Sequence, residues 1–128
     1  VMTKKYIHTE KAPAAIGAYS QAVNVNGIVY LSGQIPLDPE KMTLVSENID
    51  QQIEQVFANL NQVLLASSSS LDGIIKLNVY LTNLENFSKV NECMEKIFNK
   101  PYPARAAIGI KDLPKGSLIE VDAIALAK

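Results

Sequence analysis

The segment "KPYPARAAIGI", residues 100–110, sets a single arginine, Arg105, among alanines, isoleucines and a glycine. Strand alternation sends Ala104, Ala106, Ile108 and Ile110 one way and Arg105, Ala107 and Gly109 the other, so the guanidinium shares its face only with small residues. A fixed cation with space beside it suits an anionic ligand; the same pattern also suits a solvated arginine or half of an ion pair. A second group lies in "SLIEVDAIALA", residues 117–127, where Leu118, Glu120, Asp122 and Ile124 share one face and Ile119, Val121, Ala123 and Ala125 the other. Two carboxylates on one side of a strand offer acid–base chemistry, or a partner for Arg105.

Composition removes much other chemistry. Cys93 is the only cysteine and His8 the only histidine, so neither an intrachain disulfide, a usual zinc site nor a CxxC redox motif can be assembled. Helical periodicity around Cys93 predicts a packed, inert thiol, and His8 falls in an N-terminal stretch that reads as an exposed strand. No glycine-rich phosphate loop is present. Twelve basic and thirteen acidic residues are interspersed without a basic run, which argues against a nucleic-acid groove. The apolar runs are too short to span a bilayer and "VMTKKYIH" lacks a signal-peptide core, so a cytoplasmic protein is expected. At 128 residues, one domain over 1–128 is expected.

The elements that must position these groups follow from periodicity. "KKYIHT" reads as a short strand; Tyr19 to Val25 and Ile28 to Ser32 read as two more, joined by the hairpin signal Asn26-Gly27. Ile49, Ile53, Val56, Phe57, Leu60, Val63 and Leu64 keep one face of a helix with Asn48 as N-cap and Gln51 completing a capping box. "SSSS" at 67–70 ends it as a solvated turn. "IIKLNVYL" at 74–81 is a strand, and Thr82 and Glu85 suggest a second capping box before a helix carrying Phe87, Val90, Met94, Ile97 and Phe98. Residues 104–110 are expected to pair with 118–126 through "KDLPKG".

The order is β-β-β-α-β-α-β-β, an α+β fold with a single mixed sheet and both helices on one face. Val23, Val25, Val29 and Leu31 cannot all point at the helices, so an apolar sheet face is left over, as an oligomer would bury.

Five segments together, "APAAIGAYSQA" at 12–22, "LSGQIPLDP" at 31–39, "VNECME" at 90–95, "YPARAAIGI" at 102–110 and "LIEVDAIA" at 118–125, resemble the Rid family of reactive intermediate deaminases, in order and over essentially the whole chain. The likeness is greatest to its RidA-type members, which hydrolyse 2-imino acids and their enamine tautomers to 2-oxo acids and ammonia. The resemblance implies a chorismate-mutase-like fold and a homotrimer with active sites between subunits. It implies no metal and no organic cofactor, and a compact substrate such as 2-iminobutanoate or 2-iminopropanoate. It puts Arg105 on the substrate carboxylate and Glu120 on the attacking water or a proton relay. Tyr19, Ser32 and Asn91 become polar groups of the cavity, Gly33 a backbone contact to the ligand, and Ala107 with Gly109 room for the substrate. Many relatives carry cysteine where this chain has Ala107, and that departure removes thiol chemistry at the position. Two other functions stay open: a non-catalytic module that binds 2-oxo acids, and an endoribonuclease or translation inhibitor, which the charge balance disfavours.

Overall fold

A computed structural model describes residues 3–128; Val1 and Met2, the start of "VMTKKYIH", lie outside the described residues. Six strands, β1 (Lys4–Ile7), β2 (Ala22–Val25), β3 (Ile28–Gln34), β4 (Ile74–Leu81), β5 (Ala104–Gly109) and β6 (Ile119–Leu126), form one sheet in the order β1-β2-β3-β6-β4-β5. Two helices, α1 (Ile49–Ala66) and α2 (Phe87–Ile97), cover one face. The expected order and mixed sheet are observed. Among the described residues no helix is long and apolar enough to cross a membrane.

Local chemistry accounts for the element boundaries. Asn26 and Gly27 both take positive φ (52° and 85°), as a tight hairpin turn requires. Asn48 Oδ1 caps α1 by accepting from Gln51 N–H at 3.0 Å. The reciprocal half of the capping box is supplied instead by Ser46, whose Oγ accepts from Asn48 N–H at 2.9 Å. Asn83, rather than Thr82, caps the turn ahead of α2, accepting from Glu85 N–H at 3.0 Å. "SSSS" is not a solvated turn: Ser67 and Ser69 are only 2% and 5% exposed. Ser67 Oγ donates to the Val63 carbonyl, and Ser69 Oγ to the Leu126 carbonyl at 2.6 Å, so the serines seal the end of α1 against β6. Tyr19 to Gln21 lie outside β2, because the Gln21 side chain is drawn inward to bond the preceding loop.

The expected pairing of residues 104–110 with 118–126 is not observed. β5 runs parallel to β4, Leu77 opposite Arg105, while β6 lies antiparallel between β3 and β4. The reason is burial. Ile119, Val121, Ala123 and Ala125 are all buried and demand the sheet centre, whereas no residue of β5 is buried, so β5 takes an edge. The β4–α2–β5 crossover makes parallel pairing possible and lays α2 over the strand that carries Arg105.

The core lies between sheet and helices: Ile53, Val56, Leu60, Val63 and Leu64 of α1 and Val90 and Met94 of α2 pack on Val29, Leu31, Leu77, Val79, Leu81 and the odd residues of β6. The opposite face of the sheet is uncovered in the single chain. It presents Tyr6, Val23, Val25, Tyr30, Ile108, Ile124 and Leu126; of the four residues singled out above, Val23 and Val25 face outward and Val29 and Leu31 inward.

Three buried amides hold the loops. Gln21 Oε1 accepts from Thr9 N–H at 2.7 Å, and its Nε2 donates to the carbonyls of Thr9 and Pro13. Gln52 donates to the Ser46 carbonyl and accepts from Leu118 N–H, both at 2.8 Å, fixing the entry to β6. Asn59 Nδ2 donates to the carbonyls of Ile35 and Leu37 at 3.2 and 3.0 Å. Ile35's carbonyl also accepts from Leu37 N–H, so removing the Asn59 donor leaves the buried Leu37 carbonyl unsatisfied, at a cost of about 1–3 kcal/mol. Asn59→Ala is therefore expected to lower unfolding free energy in urea by about that amount, whereas replacing the exposed Glu54 on the same helix is near neutral; an unchanged urea midpoint would mean that the loop carbonyl finds water instead.

Candidate functional site

Arg105 lies on the helix-covered side of β5, since its strand partner Leu77 is fully buried beneath the helices. Three residues of α2 at positions i, i+4 and i+7 hold it. The guanidinium carbon sits 4.6 Å from the centre of the Phe87 ring, a cation–π contact; Nη1 donates to Asn91 Oδ1 and also approaches Met94 Sδ at 3.5 Å. No carboxylate pairs with it: among the described residues the ion pair formed is Lys89–Asp50, on the surface. The guanidinium opens instead onto a cavity of about 330 Å³ lined by Asn91, Met94, Glu95, Tyr102, Pro103 and Arg105. Five guanidinium N–H donors are available and a neutral amide oxygen takes only part of them, so a carboxylate can be received through the planar fork.

The room beside Arg105 is not where alternation put it. The space over Gly109 is filled by Leu84, whose Cγ would lie 3.0 Å from an added Cβ, and Ala107 is packed against the core rather than lining the cavity. Tyr102 and Pro103, from the segment that ends the α2 crossover, supply the open wall.

Tyr19, Gly33 and Glu120 meet in a second cavity, of about 310 Å³, whose walls include Pro13, Ile16, Gln34, Ile35, Leu37, Pro114 and Lys115. Glu120 stands on the open side of the sheet, opposite Tyr80 of β4 and alternating with the buried Ile119 and Val121. The ladder between β3 and β6 is irregular between Leu31 and Gln34, and this irregularity brings Gly33 against Glu120. A Cβ at Gly33 would collide with the carboxylate, lying 2.8 Å from Glu120 Cδ. Gly33 is thus needed for the approach of Glu120, a reason additional to the ligand contact expected of it. Ser32 Oγ donates to the Ser20 carbonyl at 2.6 Å, which ties β3 to the segment carrying Tyr19; Ser32 lines neither cavity.

Burial raises the Glu120 carboxyl above its ordinary value, and the negative charge of Asp122 adds to it. Burial likewise raises the Cys93 thiol, helped by Glu54 and opposed by Lys96, which agrees with an inert thiol. Arg105 and the acids of β6 therefore do not pair within the chain; they occupy opposite faces of the sheet. Sequence periodicity missed Phe87 and Met94 as supports for Arg105, although their spacing around Asn91 was visible as one face of a helix.

The fold and these two cavities define an α+β domain with one fixed cation over a small cavity and one carboxyl in another. The family described as endoribonuclease L-PSP matches residues 9–127, and the chain belongs to that family, the YjgF/Rid proteins. A Lactococcus lactis protein named "Putative regulator AldR" is 46% identical over 97% of this chain and 98% of its own. The 2-iminobutanoate/2-iminopropanoate deaminase of Rattus norvegicus is 44% identical over 96% and 90%. The crystal structure of RidA from the Antarctic bacterium Psychrobacter sp. PAMC 21119 superposes with a TM-score of 0.92 at 46% identity, covering 95% of this chain and 98% of that one.

A carboxyl raised in the folded state binds more protons folded than unfolded, so its contribution to stability is present at low pH and lost as pH rises through the folded value. Glu120→Gln is not subject to that loss. Its urea midpoint, compared with that of the native protein, is expected to gain as pH rises from 4 to 7; a difference independent of pH would show that Glu120 is not perturbed.

Proposed function

We propose that the protein hydrolyses small 2-imino acids to 2-oxo acids and ammonia, with the substrate carboxylate clamped by Arg105. The observation that carries this reading is an arginine held by Phe87, Asn91 and Met94, without an acid partner among the described residues, at the wall of a cavity sized for a small molecule. The deaminase relative supports the reaction class.

Glu120 is the group for the proton steps. With the imine protonated, the water oxygen bonds to the imine carbon, the C=N pair moves to nitrogen, and the Glu120 carboxylate takes the proton released by water. Glu120 then returns that proton to the amine nitrogen. The C–N bond breaks, the hydroxyl oxygen closes the C=O bond, and the hydroxyl proton leaves with ammonia as ammonium. Orientation does most of the work, because a protonated imine is already electrophilic. Tyr19 and the Gly33 backbone line the wall beside Glu120, while Asn91 acts on the carboxylate through Arg105.

Since Arg105 and Glu120 face opposite sides of one sheet, a site containing both takes its halves from neighbouring copies. A homotrimer with three such clefts accommodates this, and the open face with Tyr6, Val23, Val25, Tyr30, Ile124 and Leu126 supplies apolar surface for assembly. Removal of reactive metabolites in the cytoplasm is the setting that fits the reaction. A regulatory function, in which 2-oxo acids are bound without turnover, is the second reading; one relative carries the name of a regulator.

Decay of 2-iminobutanoate, generated in situ and followed by absorbance, distinguishes the two. The native protein is expected to accelerate it, with Arg105→Ala slower by about 10- to 100-fold, the worth of a charge-assisted hydrogen-bond pair, and Arg105→Lys intermediate. Tight binding of 2-oxobutanoate without turnover would select the sensor, and salt-sensitive RNA cleavage would select a ribonuclease.

A further inference from the structure

The open sheet face carries a polar cluster outside both cavities. Asp122 Oδ1 accepts from Asn78 Nδ2 at 2.8 Å and Oδ2 from the Tyr80 hydroxyl at 3.0 Å. In the antiparallel ladder Asn78 lies directly opposite Asp122, and Tyr80 directly opposite Glu120. The Tyr80 side chain therefore starts beside Glu120 and reaches diagonally to Asp122. Both donors are neutral, and no lysine or arginine pairs with Asp122 among the described residues. The clamp holds the carboxylate in place without cancelling its charge. Two residues along one strand face put that charge roughly 7 Å from Glu120.

We propose that Asp122, clamped by Asn78 and Tyr80, is a positioning residue that acts through Glu120, its fixed charge setting how readily Glu120 takes and returns the proton of the hydrolysis. This rests on the role given to Glu120 above. A carboxyl that must first accept and then donate works best when neither form is strongly preferred at the working pH. Burial alone moves Glu120 in that direction, and the Asp122 charge moves it further. The clamp itself persists at neutral pH, because the Tyr80 phenol is pushed above its ordinary value, first by the bond to Asp122 and then by burial.

Other groups around Glu120 bear on the same balance. From β4 Tyr80 faces it as a neutral phenol; from β3 the neighbour is Gly33, which does not titrate. Tyr19, from the loop before β2, and Lys115, from the turn before β6, line the cavity that Glu120 enters. Lys115 is the cation among those lining residues. The asparagine and tyrosine donors keep Asp122 from pairing away its charge, which a lysine in either place would do.

The direct test titrates the Glu120 side-chain carboxyl by ¹³C NMR in the full chain, native and Asp122→Asn, with Asp122→Ser as a second variant lacking the charge. Removing the charge is expected to lower the Glu120 midpoint by roughly 0.5–1.5 pH units, the range for a charge at that distance between surface and water-like screening. The limb of the imine-hydrolysis pH profile assigned to Glu120, identified by its loss in Glu120→Gln, is expected to move down by the same amount, whichever protonation form limits the rate. Asp122→Glu restores both. Midpoint or limb unmoved in the variants, even with a lower rate, overturns the proposal and leaves Asp122 a structural residue. A native protein without turnover overturns the deaminase function separately, and the NMR midpoints alone then decide whether Asp122 governs Glu120.

Discussion

The two-residue period of β6 is the constraint from which the rest follows. Four of its odd positions are buried under the helices, which forces the strand into the centre of the sheet between β3 and β4. The same period forces Glu120 and Asp122 out on the uncovered face. β5 is displaced to the edge, and the α2 crossover lays Phe87, Asn91 and Met94 over Arg105. Cation and carboxyl are thereby separated by the thickness of the sheet, so neither neutralises the other. A chain that is to use both on one substrate must do so across an interface between copies.

Each cavity is held by interactions remote from it. Arg105 rests on one helix face, and its environment depends on α2 remaining docked through Val90 and Met94. The Glu120 side depends on three buried amides instead: Gln21 shapes the loop that carries Tyr19, Asn59 ties down Ile35 and Leu37, and Gln52 fixes the first residue before β6. Among the described residues no buried side-chain polar atom lacks a partner, which is what a cavity wall needs to be rigid. Gly33 completes the wall by omitting a side chain where the Glu120 carboxyl must fit.

Much of this was legible in the sequence. Alternation in β6, the helical faces of α1 and α2, the Asn26-Gly27 turn and the Asn48 cap are local effects, and each is found where its pattern predicts. Resemblance brought Tyr19, Gly33, Asn91, Arg105 and Glu120 forward, and the structure gathers them into two cavities, with Ser32 and Ala107 in neither. What periodicity could not supply is the long-range pairing: two strands joined by a short loop suggest a hairpin, and only the competition for the buried centre decides otherwise. The burial of Ser69 was hidden for the same reason, since its partner lies at the far end of β6. The occupation of the Gly109 space by Leu84 likewise joins segments 25 residues apart.

The central claim, a site shared between copies, is tested most directly by subunit mixing. Arg105→Ala and Glu120→Gln chains, each strongly impaired alone, are unfolded together in equal amounts, refolded, and assayed for 2-iminobutanoate hydrolysis against the separately refolded variants. If each site takes its arginine from one copy and its glutamate from the next, random assembly restores roughly a quarter of the sites, and about a quarter of native activity returns. If both residues serve within one chain, every site stays defective and mixing restores nothing, which would contradict the account.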